Sequence, residues 1–158
     1  MRGTLGTLAA IALMTLAVVP LADAEEQPRE AYVTQVEPIC KANRAANERI
    51  MAGARERVNK GKLEQAGKQF VRVSESFGGL IEQLAVIPAP AADSHRVERW
   101  LSLMRLLKSR LRSVGKYFKA GEKIKATHES ILAERSGISA NNISIVFHFN
   151  YCRFKRLA

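Results

Sequence analysis

Apolar residues recur every three or four positions along most of this chain, and only a few short stretches interrupt them. The interior breaks are Gly61, Gly121 and the pair Pro88 and Pro90. Glycine commonly ends helices, and proline cannot continue them. The pattern therefore predicts four amphipathic helices joined by short connections. Helices of this kind bury their apolar faces together, so the predicted fold is an all-α, up-down-up-down four-helix bundle.

The four predicted helices span residues 29–60, 62–86, 94–120 and 122–152. Pro38 lies inside the first, so this helix either bends at Pro38 or begins there. The fourth is the hardest to assign, because residues 143–151 also alternate as a strand does. A single strand would leave its backbone groups unpaired, so a helix is predicted here as well.

The predicted fourth helix has apolar residues at spacings of three and four, which are expected to form its buried face. These include Ile124, Ile131, Ile138 and Ile145.

The first 24 residues have the pattern of a secretory signal peptide. Arg2 supplies a positive charge, residues 8–19 are apolar, and Ala22-Asp23-Ala24 matches the small-residue cleavage pattern. The apolar stretch is shorter than the ~20 residues that a membrane-spanning helix needs. We expect cleavage after Ala24, with an uncleaved anchor as the alternative. Residues 25–158 then form one helical-bundle domain, which is secreted or lies in the cell envelope outside the cytoplasmic membrane.

The chain has two cysteines, Cys40 and Cys152. In an oxidising compartment an even count favours a disulfide, and closing a long loop stabilises a fold. Counting from the glycine turns places Cys40 about 31 Å and Cys152 about 46 Å along the bundle. A bond between them therefore requires the fourth helix to end before Cys152 and fold back, or one helix to bend.

Three asparagines lie on the predicted buried faces of the first and fourth helices: Asn43, Asn47 and Asn142. Buried amides commonly fix the register of neighbouring helices. We expect a hydrogen-bonded amide cluster between these two helices, with a polar binding pocket or exposure of these residues to solvent as the alternatives.

The whole chain has a net charge of +10, and its basic residues are concentrated in the second half. Residues 96–125 contain ten Lys and Arg but only two Glu. Five of these cations recur at helical spacing on the side of the third helix opposite its apolar face. They form its basic face: Arg105, Lys108, Arg112, Lys116 and Lys119.

A face that serves solubility alone usually mixes both signs of charge, so this excess favours contact with an anionic surface, with a solvated polar face as the alternative. The candidate surfaces are anionic lipid head groups, cell-wall polymer and extracellular nucleic acid. Aromatic residues are not interleaved with these cations, which disfavours sequence-specific nucleic-acid recognition.

Catalytic and metal-binding patterns are missing from the sequence. His95, His128 and His148 do not have the spacing of a helical zinc site, and no Glu-x-x-His pattern of di-iron bundles occurs. No nucleophile elbow or glycine-rich phosphate loop occurs either. The sequence predicts neither an enzyme nor a bound metal or cofactor.

Two stretches carry a resemblance: Tyr32-Val-Thr-Gln-Val-Glu-Pro-Ile-Cys40, and Asn141-Asn142 followed by Phe149-Asn-Tyr-Cys152. They resemble a group of uncharacterised small secreted bacterial helical proteins with an early Ile-Cys and a late Tyr-Cys. The resemblance implies a secreted bacterial setting and supports pairing of Cys40 with Cys152. It implies no activity.

Together these patterns predict a non-enzymatic, exported helical bundle that contacts anionic envelope surfaces through its basic face. The alternative is a small-ligand-binding protein with a cavity around Asn43, Asn47 and Asn142. A partly polar cavity of about 300 Å³ or more favours this alternative.

Overall fold

A computed structural model of the chain describes residues 28–155, and the predicted signal peptide lies outside these residues. The described part forms the predicted helical bundle and contains no strand. Its helices are α1 (Arg29–Met51), α2 (Ala54–Asn59), α3 (Leu63–Ala85), α4 (Ser94–Lys119) and α5 (Lys123–Val146), with a 3₁₀ turn at Ala91–Asp93.

Both predicted glycine turns end a helix in the left-handed conformation. Gly61 ends α2 with φ +71°, and Gly121 ends α4 with φ +76°. After Gly121, the N–H of Glu122 donates to the carbonyl of Tyr117, which satisfies a carbonyl that the helix leaves free. Glycine adopts this conformation without strain, so the sequence predicts these two stops directly.

The first predicted helix contains a break that its apolar pattern does not indicate. α1 begins at Arg29 and runs through Pro38, but it ends at Met51, and Gly53 has φ +71° before α2 begins. The exposed backbone at this break is held by Gln69 of α3, whose Nε2 donates to the carbonyl of Ile50 at 2.7 Å. The single predicted helix is therefore two helices, α1 and α2, joined by a turn at Ala52 and Gly53.

α4 lies at the centre of the bundle, between α3 and α5, while α1 and α2 pack against α3. Large apolar side chains fill the core around α4, and Trp100 and Leu107 are fully buried. Near one end α4 and α3 approach so closely that a Cβ at Gly67 would lie 2.6 Å from the carbonyl oxygen of Gly115. The predicted apolar face of the third helix is thus confirmed.

The prediction for the buried face of the fourth helix is wrong. The four predicted core isoleucines form one face of α5, which we call the isoleucine face: Ile124, Ile131, Ile138 and Ile145. All four are exposed, Ile124 to 88%, so this face points outward. Small side chains are buried instead, and they form the small-residue face of α5: Ala126, Ala133, Ser136, Gly137, Ala140 and Ser144.

The prediction that the fourth helix reaches Cys152 is also wrong. α5 ends at Val146, and His148 follows with φ +56°. The N–H groups of His148 and Phe149 donate to the carbonyls of Ile145 and Ser144, each at 3.0 Å. This is the same helix end as at Gly61 and Gly121, formed here by a residue other than glycine. The chain then turns back along the bundle.

An ion-pair cluster joins the start of α4 to the start of α1. Asp93 is 3% exposed and accepts hydrogen bonds from Arg29 Nε at 2.7 Å and from Arg96 Nη1. The hydrogen bond from Arg29 lowers the pKa of Asp93; burial opposes this shift, and Arg96 adds to it. The carboxylate therefore stays charged and connects the two helices.

Candidate ligand-binding site

Residues 147–155 form the C-terminal segment, which lies between α1 and α5. Direct contact between these two helices is slight. Phe147 and Phe149 are buried, with ring centroids 5.9 Å from Tyr32 and 5.2 Å from Trp100, respectively. Burial among these rings raises the pKa of Tyr32 to about 12. The C-terminal segment thus completes the core where α1 does not reach α5.

The predicted disulfide between Cys40 and Cys152 is confirmed. It joins the middle of α1 to the C-terminal segment, with 5.0 Å between the two Cα atoms. The different heights of the two cysteines along the bundle are reconciled because α5 ends at Val146 and the chain folds back. Both cysteines are buried.

Two charged side chains of α1 hold the backbone of the C-terminal segment. The Glu37 carboxylate accepts hydrogen bonds from the N–H groups of Asn150 and Tyr151 at 2.9 and 3.0 Å. Arg44 Nη2 donates to the carbonyls of the same two residues, both at 2.9 Å. These contacts satisfy backbone groups that have no helix or strand partner.

The other edge of the C-terminal segment contacts α5. Asn141 donates to the carbonyl of Phe154 at 2.9 Å and accepts from its N–H at 2.6 Å. The Phe154 ring lies against Gly137, where a Cβ would come within 2.3 Å of the ring. The predicted role of Asn142 is wrong, because Asn142 is exposed and its neighbour Asn141 makes the contact.

A cavity of about 650 Å³ opens where α1, α2 and the C-terminal segment meet. Its inner wall includes Met51, Phe77, Leu80, Met104 and the Cys40–Cys152 disulfide. Residues 52–56 and Asn59 form another part of the wall, so the break between α1 and α2 shapes the cavity. The volume lies in the range of sites for small organic molecules and exceeds the threshold set for the ligand-binding alternative.

Asn43 and Asn47 line this cavity and contact each other, as predicted. Asn47 Nδ2 donates to Asn43 Oδ1 at 2.8 Å. The pair is joined to α3 rather than to the fourth helix, because Asn43 Nδ2 donates to the carbonyl of Ser76 at 3.0 Å and to its hydroxyl at 2.9 Å. Asn47 is only 6% exposed, and its Oδ1 has no hydrogen-bond partner among residues 28–155.

Charged side chains lie around the cavity edge, with cations in excess. They are Arg44, Glu48, Arg55, Glu56, Arg153 and Lys155. Glu56 already pairs with Lys60 at 2.6 Å, which leaves Glu48 as the carboxylate that opposes the edge cations. The edge therefore carries a net positive charge.

The basic face of α4 is separate from this cavity, because none of its five residues lines the cavity wall. Arg105, Arg112, Lys116 and Lys119 are exposed, while the stem of Lys108 lies over Gly78 of α3. The face thus borders α3 instead of lying directly opposite the core. One carboxylate lies near this face: the pKa of Glu64 is lowered mainly by its hydrogen bond and ion pair with Lys68, and Lys119 of the basic face adds to the effect.

His95, His128 and His148 are all exposed and lie on three different parts of the molecule. No group of three or more His, Cys, Asp or Glu side chains between residues 28 and 155 is arranged to hold a metal ion. None of the helices in that range is long and apolar enough to cross a membrane.

Comparison of the chain with protein-family models, with curated proteins and with solved structures gives no match.

Proposed function

We propose that this protein is an exported binding protein that holds a small, mainly apolar ligand in the cavity beside α1. The observation that carries the proposal is a cavity of about 650 Å³ with apolar inner walls and a buried amide pair, Asn43 and Asn47. Small-molecule sites commonly combine an apolar lining with a few fixed polar groups. The disulfide supports the exported setting, because such bonds persist in oxidising compartments.

Two features of the wall suit a carrier. Met51 and Met104 have flexible side chains that adapt to ligands of different shape. The wall formed by the C-terminal segment is held to α1 by the disulfide, Glu37 and Arg44, so the cavity keeps its shape without a ligand. A site that is already formed binds a ligand more tightly, because less conformational entropy is lost when the ligand binds.

The test is a fluorescence titration with N-phenyl-1-naphthylamine, an apolar dye, on the disulfide-bonded protein. Ala52 is exposed at the cavity wall, and Ala52→Trp places an indole ring there without disturbing the core. We expect saturable binding of one dye per chain, weakened at least about tenfold in Ala52→Trp.

Ala120→Trp is the matched control, because Ala120 is also exposed but does not line the cavity. It is expected to bind the dye as the unchanged protein does. Met104→Trp approaches the cavity from the α4 side and is expected to weaken binding as Ala52→Trp does. Absence of saturable binding, or equal binding in all variants, contradicts the proposed function.

A second candidate function is association with an anionic surface of the cell envelope through the basic face. It is favoured by the four exposed cations of this face, which follow one another at helical spacing on α4. Attraction between exposed charges is screened by salt. Retention on phosphatidylglycerol vesicles or on anionic wall polymer is therefore expected at low salt and lost at high salt.

Arg105→Glu combined with Arg112→Glu is expected to abolish this retention. The control, Lys123→Glu with Arg135→Glu on α5, makes the same change in net charge at two exposed positions. If both double variants lose retention equally, net charge rather than the basic face is responsible. The candidate then fails, as it does if the unchanged protein is not retained.

A further inference from the structure

The buried oxygen of Asn47 is the most informative polar atom of the cavity. Asn47 lines the cavity and is 6% exposed, yet its Oδ1 has no hydrogen-bond partner among the described residues. An unsatisfied buried acceptor costs about 1–3 kcal/mol. A buried acceptor of this kind calls for a partner, which is either an ordered water or a donor group of a bound ligand.

The orientation of the Asn47 amide follows from its neighbours. Ser76 offers a carbonyl oxygen to Asn43, so the NH₂ group of Asn43 must face Ser76. The oxygen of Asn43 then faces Asn47 and accepts a hydrogen bond from its NH₂ group at 2.8 Å. Reversing the Asn47 amide would place two oxygens against each other. The atom of the Asn47 amide without a partner is therefore its oxygen, Oδ1, and an oxygen of this kind accepts a hydrogen bond from a donor group.

The charges around the cavity narrow the choice of donor. An ammonium group is disfavoured, because Arg44, Arg55, Arg153 and Lys155 outnumber the two carboxylates at the edge. Moving a cation into an apolar cavity is also costly. A neutral hydroxyl group carries a donor without this cost.

We propose, on the premise of the proposed function, that the cavity selects apolar molecules that carry a hydroxyl group, which donates a hydrogen bond to Asn47 Oδ1. Met51, Phe77, Leu80 and Met104 contact the apolar body of the ligand. Asn43 is a positioning residue, because it holds the Asn47 amide with its oxygen free.

The experiment compares two probes, 1-decanol and decyl methyl ether, which have the same alkyl chain but differ in the hydroxyl donor. Each probe displaces N-phenyl-1-naphthylamine from the protein in a competition titration. One additional hydrogen bond is worth about 0.5–1.5 kcal/mol. We expect the alcohol to bind about 3- to 10-fold more tightly than the ether.

Asn47→Leu removes the acceptor while keeping a similar volume, and the preference for the alcohol is expected to disappear. Asn59→Leu is the matched control, because Asn59 also lines the cavity but is exposed. It is expected to keep the preference. If Asn47→Leu does not fold, the comparison of the two probes on the unchanged protein still decides the question.

The two proposals fail in different ways. If neither probe nor the dye binds, the proposed function is wrong. If the alcohol and the ether bind equally well to the unchanged protein, a ligand site exists but the selection by Asn47 is wrong. The same holds if Asn47→Leu keeps the full preference for the alcohol.

Discussion

α4 and α5 are neighbouring helices of 26 and 24 residues that bury opposite kinds of side chain. α4 buries large residues such as Trp100 and Leu107, and α5 buries its small-residue face while its isoleucine face stays exposed. The reason lies in their neighbours. α4 has helices on two sides and fills the space between them, whereas α5 must leave room for α4 and for Phe154, which rests on Gly137.

Which face of a helix is buried therefore depends first on the space that its neighbours leave, and only indirectly on the hydrophobicity of the face. Burying a large side chain gains more free energy than burying alanine, but only where a void of matching size exists. Along α5 the voids are already filled by side chains from other elements. Small residues then bring the backbones closer, and the isoleucines remain in solvent.

The largest effect is expected from the bond that anchors the chain beyond α5. Cys40→Ser with Cys152→Ser removes a link between residues 112 positions apart, which is expected to lower the free energy of unfolding by about 4 kcal/mol. Urea denaturation measures the loss. Hydrogen exchange should rise most in α1 and the C-terminal segment, because α3 and α4 pack without this bond. An equal rise in all helices would contradict the comparison.

Single truncations test the difference between the two helices directly. Leu107→Ala in α4 creates a cavity in the core and is expected to cost about 3 kcal/mol. Ile138→Ala in α5 changes an exposed side chain and is expected to change stability by less than about 0.5 kcal/mol. Thermal unfolding of both variants measures this. A large loss in Ile138→Ala would mean that the isoleucine face is covered.

Enlarging a small residue probes the inward face of α5. Ala133 is 2% exposed, and Ala133→Leu is expected to cost about 2 kcal/mol because the added atoms have no space. Ser139 is exposed on the same helix, so Ser139→Leu serves as the control and is expected to be nearly neutral. Denaturation midpoints of the two variants decide whether this face is as tightly packed as described.

The carboxylates that precede α4 and α5 are expected to affect the pH dependence of stability differently. Asp93 precedes α4 and Glu122 precedes α5. The folded-state pKa of Asp93 lies below its ordinary value, so its ion pairs stabilise the protein above about pH 4. This stabilisation is lost as the pH falls through the lowered pKa. Asp93→Asn is expected to remove about 1 kcal/mol at neutral pH and to flatten the acid limb of the stability profile.

Glu122, which precedes α5, is the control for this experiment. It is partly exposed and pairs with Lys125 at the surface. Glu122→Gln is expected to leave the acid limb unchanged, because exposed ion pairs contribute little. An equal flattening by both substitutions would show that Asp93 has no special role.

The smallest effect concerns how each helix ends. Gly121 ends α4 and His148 ends α5, both in the left-handed conformation. His148→Gly is expected to raise the free energy of unfolding by up to about 1 kcal/mol, and Gly121→Ala to lower it by a similar amount. Denaturant midpoints measure both changes. A loss of stability in His148→Gly would contradict the view that this turn is strained.

Much of the fold could be predicted from particular residues. Gly61, Gly121 and the Pro88–Pro90 stretch divide the chain as expected, and the apolar face of α4 is the buried face. Two cysteines, taken with the predicted signal peptide, predict one disulfide, which is present. The helix ends and the buried face of α4 depend on backbone preferences and residue spacing within one segment, and the disulfide follows from there being two cysteines in the chain.

The candidate site was predicted only in part. Asn43 and Asn47 contact each other, but Asn142 is exposed and Ser76 is the unexpected partner. The sequence pattern predicts residues 147–152 as helix, since a left-handed histidine at position 148 has no clear sequence signal. Gly53 was the one available hint of the break that shapes the cavity.

The sequence by itself determined the helix ends at Gly61 and Gly121, which large residues of α4 are buried, and that Cys40 and Cys152 are the two residues available for a disulfide. Only the tertiary structure decided which side of α5 faces inward, where the chain runs after Val146, and that a cavity lies beside Asn47. These features depend on the fit between segments far apart in the chain, because the space one helix leaves is filled or left open by side chains of another.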